Sequence, residues 1–358
     1  VFALAWAMAG LCEQEDREKF HKWLEARGAP LPSIPRQQIS TEKETIFDYG
    51  LSPGDNDTLE WHAWKAGEWT APKKMVFSQL LIPTSDSVRA EFIVRKISDV
   101  PAVRSEQRGE PGAQNSLLIG SPGTAKTSVV LMYATTFDLA TDVFKRINFS
   151  SATLPGNFQE NIESEIVKKS PKKYHPAGGK TMHVFVDDIS MPMENSYLDQ
   201  PTLEIVRFLI ENRALYPVKE DRGILREVVN LKFLGAMTHP GGGRNSIPNR
   251  LKRHFFSLNL TPPSQKAIVD IYGKILTAAF NPKKYSPDVV AMKEFLIEAS
   301  IEIWTQVRKR LLVTPTKFHY TFTIRELSRV FQGICQVALA PQYEVIKNCA
   351  RITEKIKP

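Results

Sequence analysis

The run Leu117-Leu118-Ile119-Gly120-Ser121-Pro122-Gly123-Thr124-Ala125-Lys126-Thr127-Ser128-Val129-Val130-Leu131 carries three signals in order. Its apolar start reads as a buried strand and its glycine-rich middle as a turn. Lys126-Thr127-Ser128, with the apolar residues behind them, reads as the opening of a helix. Strand, glycine-rich turn and helix in that order are the setting of a phosphate-binding loop. Such a loop works because successive backbone N–H groups and a helix N-terminus face phosphate oxygens, a lysine reaches the β- and γ-phosphates, and a hydroxyl holds Mg²⁺. Gly120, Ser121, Pro122, Gly123, Thr124, Ala125, Lys126 and Thr127 are therefore the candidate phosphate-binding residues. The strict pattern has a glycine immediately before the lysine. Ala125 stands there instead, and its methyl group strains the loop if the position needs a positive φ.

Further along, Met182-His183-Val184-Phe185-Val186-Asp187-Asp188 is an apolar run ending in two carboxylates. A buried strand that ends in paired acids is costly unless the acids meet a cation or water. Asp187 is expected to hold Mg²⁺ through water, and Asp188 to polarise the attacking water as a general base. A solvated Asp-Asp turn is the alternative. With the glycine-rich loop, this motif points to a P-loop nucleoside triphosphatase using a nucleotide and Mg²⁺.

Outward from these motifs, strand-like runs at 116–119, 146–149, 183–186, 231–237 and 255–260 alternate with helical patterns, which predicts a mostly parallel sheet wrapped by helices. Beyond Pro262 the pattern becomes long amphipathic helices over 265–280, 287–311 and 323–338. The division expected is 1–32 as the end of a preceding helical lid, 33–75 a connector, 76–262 a large α/β domain, 263–340 a small helical lid, and 341–358 an extension. Trp61, Trp64 and Trp69 sit in the connector. They read as anchors pinning it to the body, with stacking on bases the alternative.

The 358 residues are 42% hydrophobic and 24% charged, the composition of a folded protein. A net charge of +8 suits a polyanionic partner, but the charge is dispersed, and no nucleic-acid partner is expected. Lys168, Lys169, Lys172 and Lys173 with Pro171 read as a solvated, mobile loop. Cys12, Cys335 and Cys349 form no paired spacing, so a reducing compartment and no structural metal are expected. The apolar opening Val1–Leu11 is too short to span a bilayer and lacks a basic lead-in, and no membrane association is expected. The chain opens without Met inside a helical pattern and is expected to be part of a longer polypeptide.

Val184-Phe185-Val186-Asp187-Asp188-Ile189-Ser190-Met191-Pro192, Pro240-Gly241-Gly242-Gly243-Arg244-Asn245 and Arg250-Leu251-Lys252-Arg253-His254-Phe255 together resemble the third AAA+ module of an axonemal dynein heavy chain, most similar to the outer-arm type. Residues 77–84 and 319–333 extend the resemblance over nearly the whole chain. It implies an α/β P-loop NTPase of AAA+ type, followed by a small all-helical lid, within a ring of six modules. ATP or ADP with Mg²⁺ would be the cofactors, and Ile82-Pro83 would pack on adenine. Thr238 takes the place of an asparagine that orients water, with His239 the runner-up. Arg250 and Arg253 resemble a finger segment serving the neighbouring module, Arg250 being preferred. Arg325 matches the lid arginine that senses the γ-phosphate, although pairing with Glu326 on the helix surface would also explain it.

The resemblance further implies a regulatory ATPase module that gates microtubule release. Ala125, Asp188 in place of the more usual Glu, and Thr238 each point to slow hydrolysis. Partners would be the neighbouring modules of the same chain and, through the parent chain, microtubules and the dynein intermediate and light chains. The location would be the cytoskeleton of the ciliary or flagellar axoneme. A structural module holding ADP without catalysis, and an AAA+ assembly ATPase outside the dyneins, are the alternatives.

Overall fold

The structure is a computed structural model that describes residues 1–33, 44–54, 58–72, 76–99, 115–217, 223–241, 244–281 and 285–339. The extension at 341–358, Cys349, and Gly242 with Gly243 of the glycine triplet lie outside the described residues. The chain divides into two compact units, one of residues 1–67 and 85–262, the other of 68–84 and 263–358.

In the first unit the elements are α1 (Phe2–Ala9), α2 (Gln14–Glu25), β1 (Tyr49–Pro53), β2 (Leu59–Ala63), α3 (Ser85–Ser98), β3 (Ser116–Ile119), α4 (Lys126–Ala134), β4 (Asp142–Asn148), α5 (Pro155–Glu163), β5 (Ile166–Lys168), β6 (Lys173–Pro176), β7 (Thr181–Asp187), α6 (Pro201–Asn212), β8 (Ala214–Leu215), β9 (Arg226–Val228), β10 (Leu231–Met237), α7 (Asn249–Lys252) and β11 (Phe256–Asn259). Among the described residues the main sheet has five strands in the order β11-β3-β10-β7-β4, and every neighbouring pair is parallel. The inner strands β3, β7 and β10 are buried on both faces, which is why the sequence shows apolar runs there instead of alternation, while β4 at the edge is largely half-exposed and of mixed polarity. Leu117, Val184, Val186 and Phe233 face one core with α5 and α6. Leu118, Phe185, Leu234 and Ala236 face the other, against α1, α3 and α4.

A second sheet of four strands, β5-β6-β9-β8, flanks the first. It replaces the mobile loop expected at 168–179. β5 and β6 form an antiparallel hairpin, and β6 runs parallel to β9. Ile166 and Tyr174 pack onto the core beside the buried Val228, and Arg226 lies over the Tyr174 ring at 5.0 Å. Those apolar anchors hold the hairpin while its lysines stay in water.

α1, α2 and the β1–β2 hairpin pack on the body. Trp6 meets Phe47 edge-on at 5.1 Å, Trp61 meets Phe2 at 6.2 Å, and Trp64 meets Phe92 at 5.2 Å. Arg17 is buried, and its Nη2 donates to the carbonyls of Gly10 at 3.0 Å and Asn259 at 2.8 Å. Burial, reinforced by the charge of Arg89, lowers its pKa to about 10, so it stays protonated at neutral pH. Among the described residues no helix is long and apolar enough to cross a membrane.

The second unit contains α8 (Gln265–Ala279), α9 (Pro287–Arg310) and α10 (Ile324–Leu339) around Tyr272, Leu276, Ile297, Ile301, Leu327 and Phe331. Ser264 caps α8 by accepting from the Ala267 N–H at 3.1 Å. Phe77, Leu80 and Ile82 pack on this core, so residues 68–84 lie with the helical unit and the α/β body resumes at Ser85.

Candidate nucleotide-binding site

The loop between β3 and α4 turns tightly at its start. A side chain on Gly120 would come within 2.6 Å of Thr124 Oγ1 and 2.7 Å of the Leu260 carbonyl, closer than atoms can pack, so only glycine fits. Gly123 has φ 90°, and Thr124 Oγ1 donates to the Ser121 carbonyl at 3.0 Å. Ser121 and Pro122 are exposed at the tip. Ala125 is left-handed at φ 61°, ψ 23°, so the position does demand a conformation natural to glycine and strained for alanine. Lys126 opens α4 and is buried, its Nζ donating at 2.9 Å to the carbonyls of Gly120 and of Ser121. It closes the loop into a ring about its own ammonium group.

β7 lies beside β10, and β10 beside β3, so the ends of these strands meet under the loop. Thr127 Oγ1 donates to Asp187 Oδ2 at 3.1 Å, bringing the expected metal-binding pair together. Asp187 is buried. Asp188, the next residue, has φ 54°, which turns the chain sharply where the strand ends. Its carboxylate has no hydrogen bond or ion pair among the described residues. Thr238 follows β10 and is 4% exposed, with an Oγ1 that has no partner among the described residues. A buried hydroxyl without a partner is costly and fits a polar ligand. His239 is instead half-exposed and lies 3.5 Å from Glu13 Oε1. Between the two candidates, the structure buries Thr238 at the strand end and turns His239 toward the N-terminal helices.

One member of the cluster has no counterpart in the sequence reading. Arg146 on β4 donates from Nη2 to Asp187 Oδ2 at 2.8 Å and from Nε to Asn148 Oδ1 at 2.9 Å. The register pairs Arg146 with Phe185 and Asn148 with Asp187, so the arginine reaches the acid diagonally across neighbouring strands.

Arg250 and Arg253 pair with acids outside this cluster. Arg250 Nη2 is 3.1 Å from Glu204 Oε2, and Arg253 Nη2 donates to Glu211 Oε1 at 2.7 Å, so both hold acids of α6. In the helical unit, Ile82 packs on the lid core with Pro83 half-buried beside it. Arg325 lies exposed in the first turn of α10. Its neighbour Glu326 does not pair with it. That carboxylate accepts from the Thr323 N–H at 2.7 Å and from the Thr323 hydroxyl at 2.6 Å, capping the helix, and lies 3.9 Å from Arg329.

The residues fit a magnesium-bound nucleotide: a glycine-only turn, a lysine on a helix N-terminus, a hydroxyl touching a buried carboxylate, and an unpartnered buried hydroxyl. Sheet order, loop and helical lid define an AAA+ P-loop module that binds ATP. Residues 69–263 match the P-loop containing dynein motor region, 1–66 the dynein heavy chain AAA lid domain, and 275–353 the dynein heavy chain ATPase lid domain. The chain belongs to the dynein heavy chains.

It is 37% identical over 337 residues to the dynein gamma chain of the flagellar outer arm of Chlamydomonas reinhardtii, covering 93% of this chain and 7% of that one. It is 36% identical over 353 residues to mouse dynein axonemal heavy chain 5, covering 97% and 7%. It is 29% identical over 342 residues to the dynein-1-beta heavy chain of the flagellar inner arm I1 complex of Chlamydomonas reinhardtii, covering 95% and 7%. The chain thus spans 7% of the length of these relatives. They are dyneins of cilia and flagella, and the location that goes with them is the axonemal cytoskeleton. An assembly ATPase outside the dyneins is set aside by this membership.

Proposed function

We propose that the chain is the third AAA+ module of an outer-arm axonemal dynein ring, where it binds ATP, hydrolyses it slowly, and uses occupancy to regulate microtubule release. The observation that carries the reading is the meeting of Thr127 and Asp187 beneath the loop that Lys126 closes. The outer-arm assignment rests on the resemblance of the motifs and on the flagellar outer-arm and axonemal relatives. Lys126 binds the terminal phosphates, Thr127 and Asp187 hold magnesium, and Ile82 and Pro83 flank the base. Bound magnesium supplies charge neutralisation and orientation of the phosphates.

Asp188 takes a proton from the attacking water, and Thr238 orients that water with its free hydroxyl. An Asp carboxyl has a shorter arm than Glu, and Thr offers a single donor, so alignment is poorer and turnover slower. Arg325 reports the γ-phosphate to the lid, while Arg250 or Arg253 acts on the site of the neighbouring module. Those fingers would first leave the acids of α6 that now hold them. Neighbouring modules of the same chain are the immediate partners. Microtubules and the intermediate and light chains are engaged through the parent chain.

The test compares Lys126→Ala with Asp188→Asn in the intact heavy chain. Lys126→Ala is expected to weaken ATP binding at this site by about a hundredfold, a loss of two charge-assisted contacts. Asp188→Asn is expected to keep binding, trap ATP, and change microtubule release. A heavy chain whose turnover and release are the same with Asp188→Asn would instead be using this site as a structural holder of ADP.

A further inference from the structure

Resting on that reading of the site, we propose that Arg146 is a resident counter-ion of Asp187 that magnesium must displace, so that the arginine sets how much Mg²⁺ the site needs. Asp187 Oδ2 accepts from both Thr127 Oγ1 at 3.1 Å and Arg146 Nη2 at 2.8 Å, on the carboxylate expected to face the metal. A guanidinium and a divalent cation compete for such a carboxylate, because each neutralises it and their like charges repel at close range. The arginine is also able to leave. Its side chain is 39% exposed against 13% for Asp187, and β4 is the edge strand of the sheet. A second anchor holds its stem in place, since Nε donates to Asn148 Oδ1 on the same strand and the guanidinium lies 5.9 Å from the Phe185 ring.

A merely structural ion pair makes a different forecast. Losing it would lower stability and leave the magnesium requirement unchanged or raised, because a disordered carboxylate binds metal less well. Competition lowers the requirement.

The experiment titrates Mg²⁺ into the 358-residue chain with a fluorescent ADP analogue at fixed concentration, and repeats the analogue titration in EDTA. Arg146→Gln is expected to lower the Mg²⁺ midpoint about threefold, the change expected when a half-exposed ion pair is lost. Arg146→Met, which keeps the stem over Phe185, gives the same shift and serves if the glutamine variant does not fold. Arg146→Lys restores the midpoint toward the unsubstituted value. Affinity in EDTA stays within about twofold in all three, since the competition concerns the metal. A midpoint that stays put or rises in both neutral variants overturns the proposal while leaving nucleotide binding standing. No binding of the analogue by the unsubstituted chain, with or without Mg²⁺, removes the nucleotide reading and the proposal together.

Discussion

Ala125 holds a left-handed conformation at the junction of the loop and α4, at φ 61°. For an L-residue with a Cβ this costs energy that glycine avoids. Because alanine keeps its backbone N–H, the strain lowers stability without removing a donor. Ala125→Gly is expected to stabilise the chain by about 1 kcal/mol against urea, the difference between relief of the left-handed penalty and the added freedom of the unfolded chain. A destabilised variant would mean that the methyl group makes packing contacts outweighing its strain. The loop was legible in the sequence because its marks are local, a glycine, a lysine and a hydroxyl one residue on, even though the Leu260 carbonyl that closes the space over Gly120 comes from far along the chain. Arg146 was not legible, since its pairing with Asp187 exists only through the alignment of β4 with β7. Nor did the sequence separate Thr238 from His239. Adjacent residues at a strand end look alike until burial sends one under the loop and the other toward Glu13.

The inner strands β3, β7 and β10 were legible for a physical reason, since burial on both faces writes itself as apolar runs, whereas half-exposed β4 starts at Asp142, ahead of the run read at 146–149. The second sheet was not, because β5, β8 and β9 are two or three residues long and β5 ends in an exposed lysine. Short strands of mixed polarity carry no period to read. At the other end of the main sheet, β7 and β4 share a polar contact that the apolar pattern hid. His183 is buried and stacks on Phe137 at 4.1 Å, with Nε2 at 2.9 Å from Asp142 Oδ1. Its Nδ1 has no partner among the described residues, which suits a neutral ring donating from Nε2. Burial lowers the His183 pKa, and the Asp142 hydrogen bond only partly opposes that.

The folded ring therefore resists a proton that the unfolded chain accepts near 6.5, and stability must fall as pH drops through that value. His21 and His254, both lowered chiefly by burial, act in the same direction. The melting temperature is expected to decline between about pH 7.5 and 5.5, the window around the ordinary histidine pKa. His183→Gln should flatten that slope whatever its own stability. An unchanged slope would show that the ring takes up its proton alike in the folded and the unfolded chain, and that His183 has no part in the pH dependence.

At the scale of the molecule, the helical unit and the α/β body have separate cores, yet the N-terminal helices belong to the body. Residues 1–66 match a lid family and 69–263 a motor-region family, so the fold joins by packing what the family models divide. Arg17 makes the join. Removing it leaves the carbonyls of Gly10 and Asn259 without that donor, although the Asn259 N–H still donates to Gly10 at 3.0 Å. Arg17→Met is expected to cost about 2 kcal/mol in chemical denaturation, the two lost bonds being offset in part by easier burial of the thioether. A neutral result would make the aromatic contacts of Trp6 and Phe47 sufficient on their own.

The position of Arg17 matters beyond stability. Asn259, which it grips, is followed by Leu260, whose N–H donates to Ile119 at 2.7 Å and whose carbonyl bounds the space above Gly120. The first helices and the phosphate loop are thus tethered by a few covalent and hydrogen-bonded steps, so that the seat of the second helix and the floor of the loop share one short stretch of chain, Asn259-Leu260.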